Sequence, residues 1–443
     1  MNASVESIVP FNQFIDSAQG DHLHGNRGDW LSGIKEKGRI EFYKLGWPSP
    51  KFESWRYTNL NKLAKTQFYL PQDMELAKLP YQDILPVDAP KIALVNGKFN
   101  RELSDLSTIS EGILVNNFQD MSDEQRALFS LENPTSLPKE GLPVKALNDA
   151  ILSDVLFIEI RPGWQSDVPL HIVSIGCGDH VGFSSKIFVS AGENCHLDIV
   201  ESHAGEHGST YFSSCVSNID IKAGARLGHY KLQNDTNTST HLALTQTSIE
   251  ADAVYDNFVM SVGGILSRNE VRSFIAASGV DCCVNGAYLG TSNQHIDNTT
   301  FIEHAAEGSQ SREVYKGVLA DHAKGVFQGK IFVHPEAQRT DGYQMNRALL
   351  LSDKAEIDSK PELEIYADDV RCSHGATVGE LEEEHLFYLK ARGINAESAR
   401  RLLVEAYIGE VIDEIQSQSI KEALSKVASD LLTKKLFERS NER

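Results

Sequence analysis

The 443-residue chain has no apolar run of the roughly 20 residues that a membrane-crossing helix requires. Its opening stretch, "MNASVESIVPFNQFIDSAQGDHLHG", lacks a basic segment followed by an apolar one, so a soluble, unexported, cytoplasmic chain is expected. Cysteine is scarce. The six residues, Cys177, Cys195, Cys215, Cys282, Cys283 and Cys372, show no framework spacing, which suits free thiols in a reducing cytosol and argues against disulfides. Positive charge is in deficit, with 42 basic against 62 acidic side chains and a net charge of −20. That balance repels phosphate backbones and anionic lipid, which argues against nucleic acid and membrane as main partners. The chain also lacks G-x-x-x-x-G-K-[ST], G-x-G-x-x-G after a strand, G-x-S-x-G, H-E-x-x-H and C-x-x-C. Nucleotide hydrolysis, hydride transfer, acyl transfer and a self-contained metal centre are therefore without their usual devices. Any ATP or complete metal cluster would depend on another chain.

What is present divides into three textures, in line with the two or three domains that this length suggests. Residues 1–150 read as mostly helical with a small β element. In "WLSGIKEKGRIEFYKLGWPSP" the residues Trp30, Leu31, Ile34, Phe42 and Leu45 fit a helical face that stops at Gly46. In "KIALVNGKFN" apolar residues flank Asn96-Gly97, a hairpin signal. Residues 151–376 are β-rich. They carry short runs such as "VLFIEIRP", "SKIFVSAG", "SNIDIKAG", "SFIAASG" and "GKIFVHPEA", each closed by small or turn-forming residues. Corners recur near 191, 223, 277, 323 and 355, and no helical stretches separate the runs. This argues against a doubly wound α/β fold and for a β-helix, although a sandwich or barrel shares much of the pattern. Residues 377–443 return to helical periodicity. Thr377 with Glu380 forms a capping box, Gly393 is a stop, and Asn395 caps a second helix whose face includes Ala399, Leu402, Val411 and Ile412. This module is too small to stand alone, so it packs on the β body or on a partner.

Candidate chemistry centres on "RCSHG". A strand would put Cys372 and His374 on one face, where thiolate and neutral imidazole can aim at one zinc or iron ion. Two ligands make half a site. The alternative is a small buried thiol beside a satisfied histidine. "ESHAGEHGST" offers Glu201, His203, Glu206 and His207, a cluster able to bind metal or move protons, but its glycines and polarity suit an exposed turn. Adjacent Cys282 and Cys283 would face opposite sides of a strand, which favours core packing over chelation. Glu382, Glu383 and Glu384 fit a solvated helix start, where negative charge offsets the helix dipole.

The run "GKIFVHPEAQRTDGYQMNRALLLSDKAEIDSKPELEIYADDVRCSHGATVGELEEEHLFYLKARGI", residues 329–394, resembles the signature of the SufB/SufD family of iron-sulfur cluster assembly proteins. "ESWRYTNL" and "LVNGKFN" are similar to the SufD branch, and the first cysteine being Cys177 departs from the cysteine-richer SufB branch. The resemblance implies a mainly β fold, a right-handed parallel β-helix core flanked by helical N- and C-terminal regions. It further implies a non-catalytic scaffold subunit that pairs through its β-helix with a SufB-like paralogue and docks a SufC-like ABC ATPase through its C-terminal helices. In the family the cysteine and histidine of C-S-H-G lie near the paralogue interface, which makes Cys372 and His374 candidate ligands of a transient iron-sulfur cluster shared with SufB. No ATP would be bound by this chain. A reduced flavin in the complex is compatible with the resemblance but has no residue signature here, and a homodimer of the isolated chain would cover an open lateral edge.

Two other readings compete. One is a purely structural SufB partner in which His374 only packs. The other is a β-helix enzyme acting on polysaccharide, with Asp368-Asp369 as its carboxylates.

Overall fold

A computed structural model describes residues 10–20, 26–72, 83–109, 111–130 and 142–437; the opening segment read above for a leader lies largely outside the described residues. From Leu152–Ile160 to Arg371–Gly379 the chain lays down strands of 7 to 11 residues. Each pairs in parallel with the strand after next, so that successive strands alternate between a ten-stranded and a nine-stranded sheet. Two strands make one coil, and about eight coils stack into a parallel β-solenoid with helices at both chain ends. The β-helix expectation is met. Paired residues in adjacent coils are separated by 26 positions, as in Thr240 and Leu266, to 32, as in Lys324 and Glu356. Variable coil length accounts for part of the irregular corner spacing in the sequence. The rest arises because the corners belong to two series, one near 191, 223 and 277 and the other near 323 and 355, on opposite sides of the stack.

The first corner series is held by a backbone ladder of its own. Gly224 N donates to Ala251 O at 2.8 Å, Asp252 N to Ser278 O at 3.0 Å and Gly308 N to Gln338 O at 2.9 Å. These residues turn through positive φ, +57° at Asp252 and +75° at Gly279. At Gly279 a Cβ would also collide with the Asp252 carboxylate of the coil below, so glycine is required there for both reasons. Cap strands close the first coil. Lys91–Val95 runs parallel to Leu170–Gly176 and turns back at Asn96-Gly97, where φ is +49° and +77°, as the hairpin signal predicts.

The interior between the sheets is apolar at many levels, with Leu197, Ile199, Ile219, Ile249, Val284 and Ile302 in one cluster. Each outer face carries its own cover. On the nine-stranded sheet, Phe11, Phe14, Phe42 and Trp55 from the N-terminal helices and turns pack against Phe212, Val216, Leu242 and Leu244. On the ten-stranded sheet, Val404, Ile408, Val411 and Ile412 of helix Ala396–Ile412 and Ile420 and Leu424 of helix Gln418–Leu432 cover Leu232, Phe258, Met260 and Leu289. Each such aliphatic side chain taken from water stabilises by about 1.5–3 kcal/mol.

One expectation is corrected at the junction of solenoid and C-terminal helices. The local Thr377/Glu380 capping signal does not start a helix. The strand continues to Gly379, and the helix begins at Glu383 with Glu382 as its N-cap. Pairing of Thr377 with Arg347 and Val378 with Ala348 extends the sheet through two β-branched residues, and this long-range ladder overrides the cap. Asn395 does cap the next helix, accepting from Ser398 N at 2.8 Å.

A buried ion pair fixes the N-terminal module to the sheet. Asp149, on helix Leu142–Ala150, accepts from Lys186 of strand Val181–Ala191 and from Lys145 at 3.3 Å. Burial alone would raise the Asp149 carboxyl, but the two lysines outweigh it and hold it below its ordinary value. Stability from this group is therefore present above the unfolded carboxylate pKa and is lost as pH falls through the lower folded value. Lys186→Met leaves the buried carboxylate with the more exposed Lys145 alone and is expected to cost up to about 3–5 kcal/mol near neutrality. The deficit in thermal midpoint should narrow as pH drops below about 4, where the unfolded carboxylate takes up its proton, and further as pH falls through the lower value of native Asp149; a deficit independent of pH would contradict this account.

Candidate functional site

Strand Arg371–Gly379 is the last of the ten-stranded sheet and pairs on one side only, with Asp341–Leu350. The alternation of a strand sends Cys372 and His374 to the same, inward face. Cys372 stacks in register on Gly342, and its sulfur would lie 3.2 Å from a Cβ placed there, so the missing side chain below makes room for the thiol. It also packs against the rim of the interior apolar cluster. Burial pushes the Cys372 thiol up, against a lowering contribution from the Gly342 backbone, so at neutral pH the isolated chain holds a thiol that must lose its proton to bind a metal. His374 stacks on Gln344 and is exposed at the open end. Thus the pair lies at the mouth of the solenoid interior, two donors on one face with no further coil beyond them among the described residues. Around the mouth stand exposed apolar residues, Tyr366 and Val378 at 58% and 53% exposure, with Ile365 beside them. A few residues along the chain, helix Glu383–Ala391 buries Leu386 but leaves Phe387 and Tyr388 in solvent, and Leu402 is exposed on the next helix.

Below the mouth the interior is polar at particular levels. Gln344 Nε2 donates to Glu313 Oε2 at 2.7 Å, and the Thr300 hydroxyl from the facing sheet donates to the other oxygen. Burial pushes the Glu313 carboxyl up to about 7, although both hydrogen bonds pull it down. Four coils further in lies a second cluster. Glu201 accepts from Ser217 Oγ at 3.0 Å, lies 2.8 Å from His229 Nε2 and 3.1 Å from His203 Nε2, and pairs with Lys231 at 3.3 Å. Burial would raise this carboxyl too, but Lys231 and the two histidines hold it well below the usual carboxylate range. Glu201, His203 and Cys215 offer donor atoms within 4.8 Å of one another, the one such trio among the described residues. The Glu201 carboxylate is already fully engaged, and the trio is sealed inside the coils, so it reads as an interior ion-pair network.

The exposed-turn reading of "ESHAGEHGST" is therefore corrected. Glu201 and His203 are buried within strand His196–Gly205, and Glu206 and His207 alone belong to the turn. Gly205 misled the reading because it is a clearance glycine, where a Cβ would strike the Tyr211 hydroxyl; Gly208, at φ +83°, is the turn glycine. Cys282 packs in the interior core and Cys283 is half-buried on the other face, as alternation predicts. Asp368 and Asp369 sit on the corner leading into the last strand, where Asp369 O accepts from Arg339 N and Asp369 N donates to Gln338 Oε1. Sequence reasoning missed Gln344 and Glu313. The signal available was the 30-residue step from Gln344 to His374, legible only once strand register is known.

The family model for the SUF system FeS cluster assembly SufBD core domain matches residues 174–407, and that for the SufBD protein N-terminal region matches residues 12–172. Similar proteins include the iron-sulfur cluster assembly protein SufD of Escherichia coli, 28% identical over 91% of this chain and 94% of the relative. A SufBD family protein of Synechocystis is 28% identical over 86% and 87%, and one of Pyrococcus horikoshii 24% identical over 89% and 91%. With one model covering more than half of the chain, including most of the solenoid, and the other covering the region before it, the chain belongs to the SufBD family of iron-sulfur cluster assembly proteins.

Proposed function

We propose that this chain is the SufD-type half of a scaffold on which a nascent iron-sulfur cluster is built, the other half being a SufB-like paralogue docked at the open end of the solenoid. The cluster is cargo, and Cys372 and His374 are its ligands from this side. The observation that carries the reading is the arrangement of the last coil, where two metal-competent donors share an inward face on an edge strand with no strand paired beyond it among the described residues. A thiolate and an imidazole are too few to complete an iron site, so further donors would come from across the interface. The unpaired edge and the apolar rim of Ile365, Tyr366 and Val378 suit burial by a partner coil. On binding, Cys372 gives up its thiol proton and His374 contributes a ring lone pair.

The C-terminal helices carry the second contact. Exposed Phe387, Tyr388 and Leu402 present an apolar face away from the solenoid, suited to a SufC-like ATPase that hydrolyses ATP on its own chain. The strand bearing Cys372 and His374 runs out at Gly379, and the helix begins at Glu383. Closure of two ATPase subunits would pull on a lever only a few residues from the ligands and open the interface to iron and sulfide.

Two outcomes are expected. In the complex with SufB and SufC partners purified without oxygen, His374→Ala lowers iron and acid-labile sulfide on the order of tenfold with the complex still assembled. Unchanged content would reduce this chain to a structural partner. A flexible insert after Gly379 leaves ATP hydrolysis intact but lowers ATP-dependent cluster yield; equal yield per ATP would remove the lever from the mechanism.

A further inference from the structure

The polar ladder beneath His374 has an unfinished end. Gln344 is fully buried, and its amide NH2 is committed to Glu313. The ionised carboxylate offers acceptors alone, so it dictates which way the amide faces and turns Gln344 Oε1 away. That oxygen is buried and without a hydrogen-bond partner. Leaving a buried carbonyl unpaired costs about 1–3 kcal/mol, so its persistence calls for a donor. The arrangement is built, because a Cβ at Gly329 on the facing sheet would collide with the Gln344 amide, and glycine alone leaves the space.

The coil above supplies the donor. His374 is the register partner of Gln344, and neighbouring strands lie about 4.8 Å apart, so an imidazole stacked on the amide can bring a ring N–H to it by rotation of its side chain. Among the described residues the His374 ring makes no hydrogen bond of its own. We propose that Gln344, oriented by Glu313, is a positioning residue: its Oε1 takes one ring N–H of His374, fixing a single tautomer and directing the other nitrogen's lone pair out of the solenoid mouth toward incoming iron. The inference rests on the reading of His374 as a ligand. It adds that the ligand is prepared from inside this chain, by residues that never touch metal, as outer hydrogen-bond partners fix ligating histidines elsewhere.

The test is a long-range proton–nitrogen correlation spectrum of the full chain labelled with 15N-histidine, at pH 8 where Glu313 is ionised. The His374 signals are assigned by their loss in His374→Asn. The expected result is a pair of nitrogen shifts for one tautomer in the native chain and the averaged shifts of a freely exchanging ring in Gln344→Met. The reciprocal swap, Glu313→Gln with Gln344→Glu, reverses the inner hydrogen bond but again presents an oriented acceptor to His374, and restores the single tautomer. In the assembled complex Gln344→Met lowers iron and sulfide on the order of tenfold, and the swap recovers it. A native ring already averaging between tautomers, or one unmoved by Gln344→Met, overturns the proposal and leaves the ligand reading standing. Failure of the ligand reading shows separately, as unchanged iron in His374→Ala.

Discussion

Each coil of this molecule hands its backbone hydrogen bonds to the next in register, and the other features of the fold answer to that parallel ladder. It forces residues about 30 positions apart into columns, as in Glu313, Gln344 and His374, so a side chain is judged by what stands above and below it. A charge in such a column cannot reach water and must be answered within one coil. Glu201 is answered by Lys231 and His229 beside it, and Glu313 by Gln344 above and Thr300 across. The ladder also explains why the last strand has an open edge, since among the described residues no further coil follows Arg371–Gly379 to receive it.

The two helical modules divide the remaining surface. One covers the nine-stranded sheet through an aromatic cluster and the Asp149–Lys186 pair. The other covers the ten-stranded sheet through aliphatic contacts and the Arg312–Glu414 pair. The N-terminal module reaches the last coil only where Glu53 pairs with Lys360, and Val378 at the solenoid mouth and Phe387 and Tyr388 on helix Glu383–Ala391 remain exposed.

The sequence was legible where local and global preferences agree. The Asn96-Gly97 hairpin, the Asn395 cap and the shared face of Cys372 and His374 follow from turn chemistry and strand alternation. All five strand runs quoted from the sequence belong to the nine-stranded sheet. Strands of the opposite sheet carry inward Glu201, His203, His229, Lys231, Glu313 and Gln344, which break the apolar pattern that marks a buried strand. Those polar residues are intelligible only as columns, and columns depend on coil length, which varies with each corner. The capping box at Thr377 failed for the same reason, a partner strand 30 residues away deciding its conformation.

A stack of this kind behaves as a one-dimensional array in which each unit draws stability from two neighbours. The coil carrying Cys372 and His374 has one neighbour, so it lies at the low end of the local unfolding scale, where amide hydrogens exchange soonest. A second solenoid docked there, as proposed, would supply the missing neighbour. Association and ordering of the proposed ligands would then be a single event, with an unaccompanied chain presenting to iron only a fraying end.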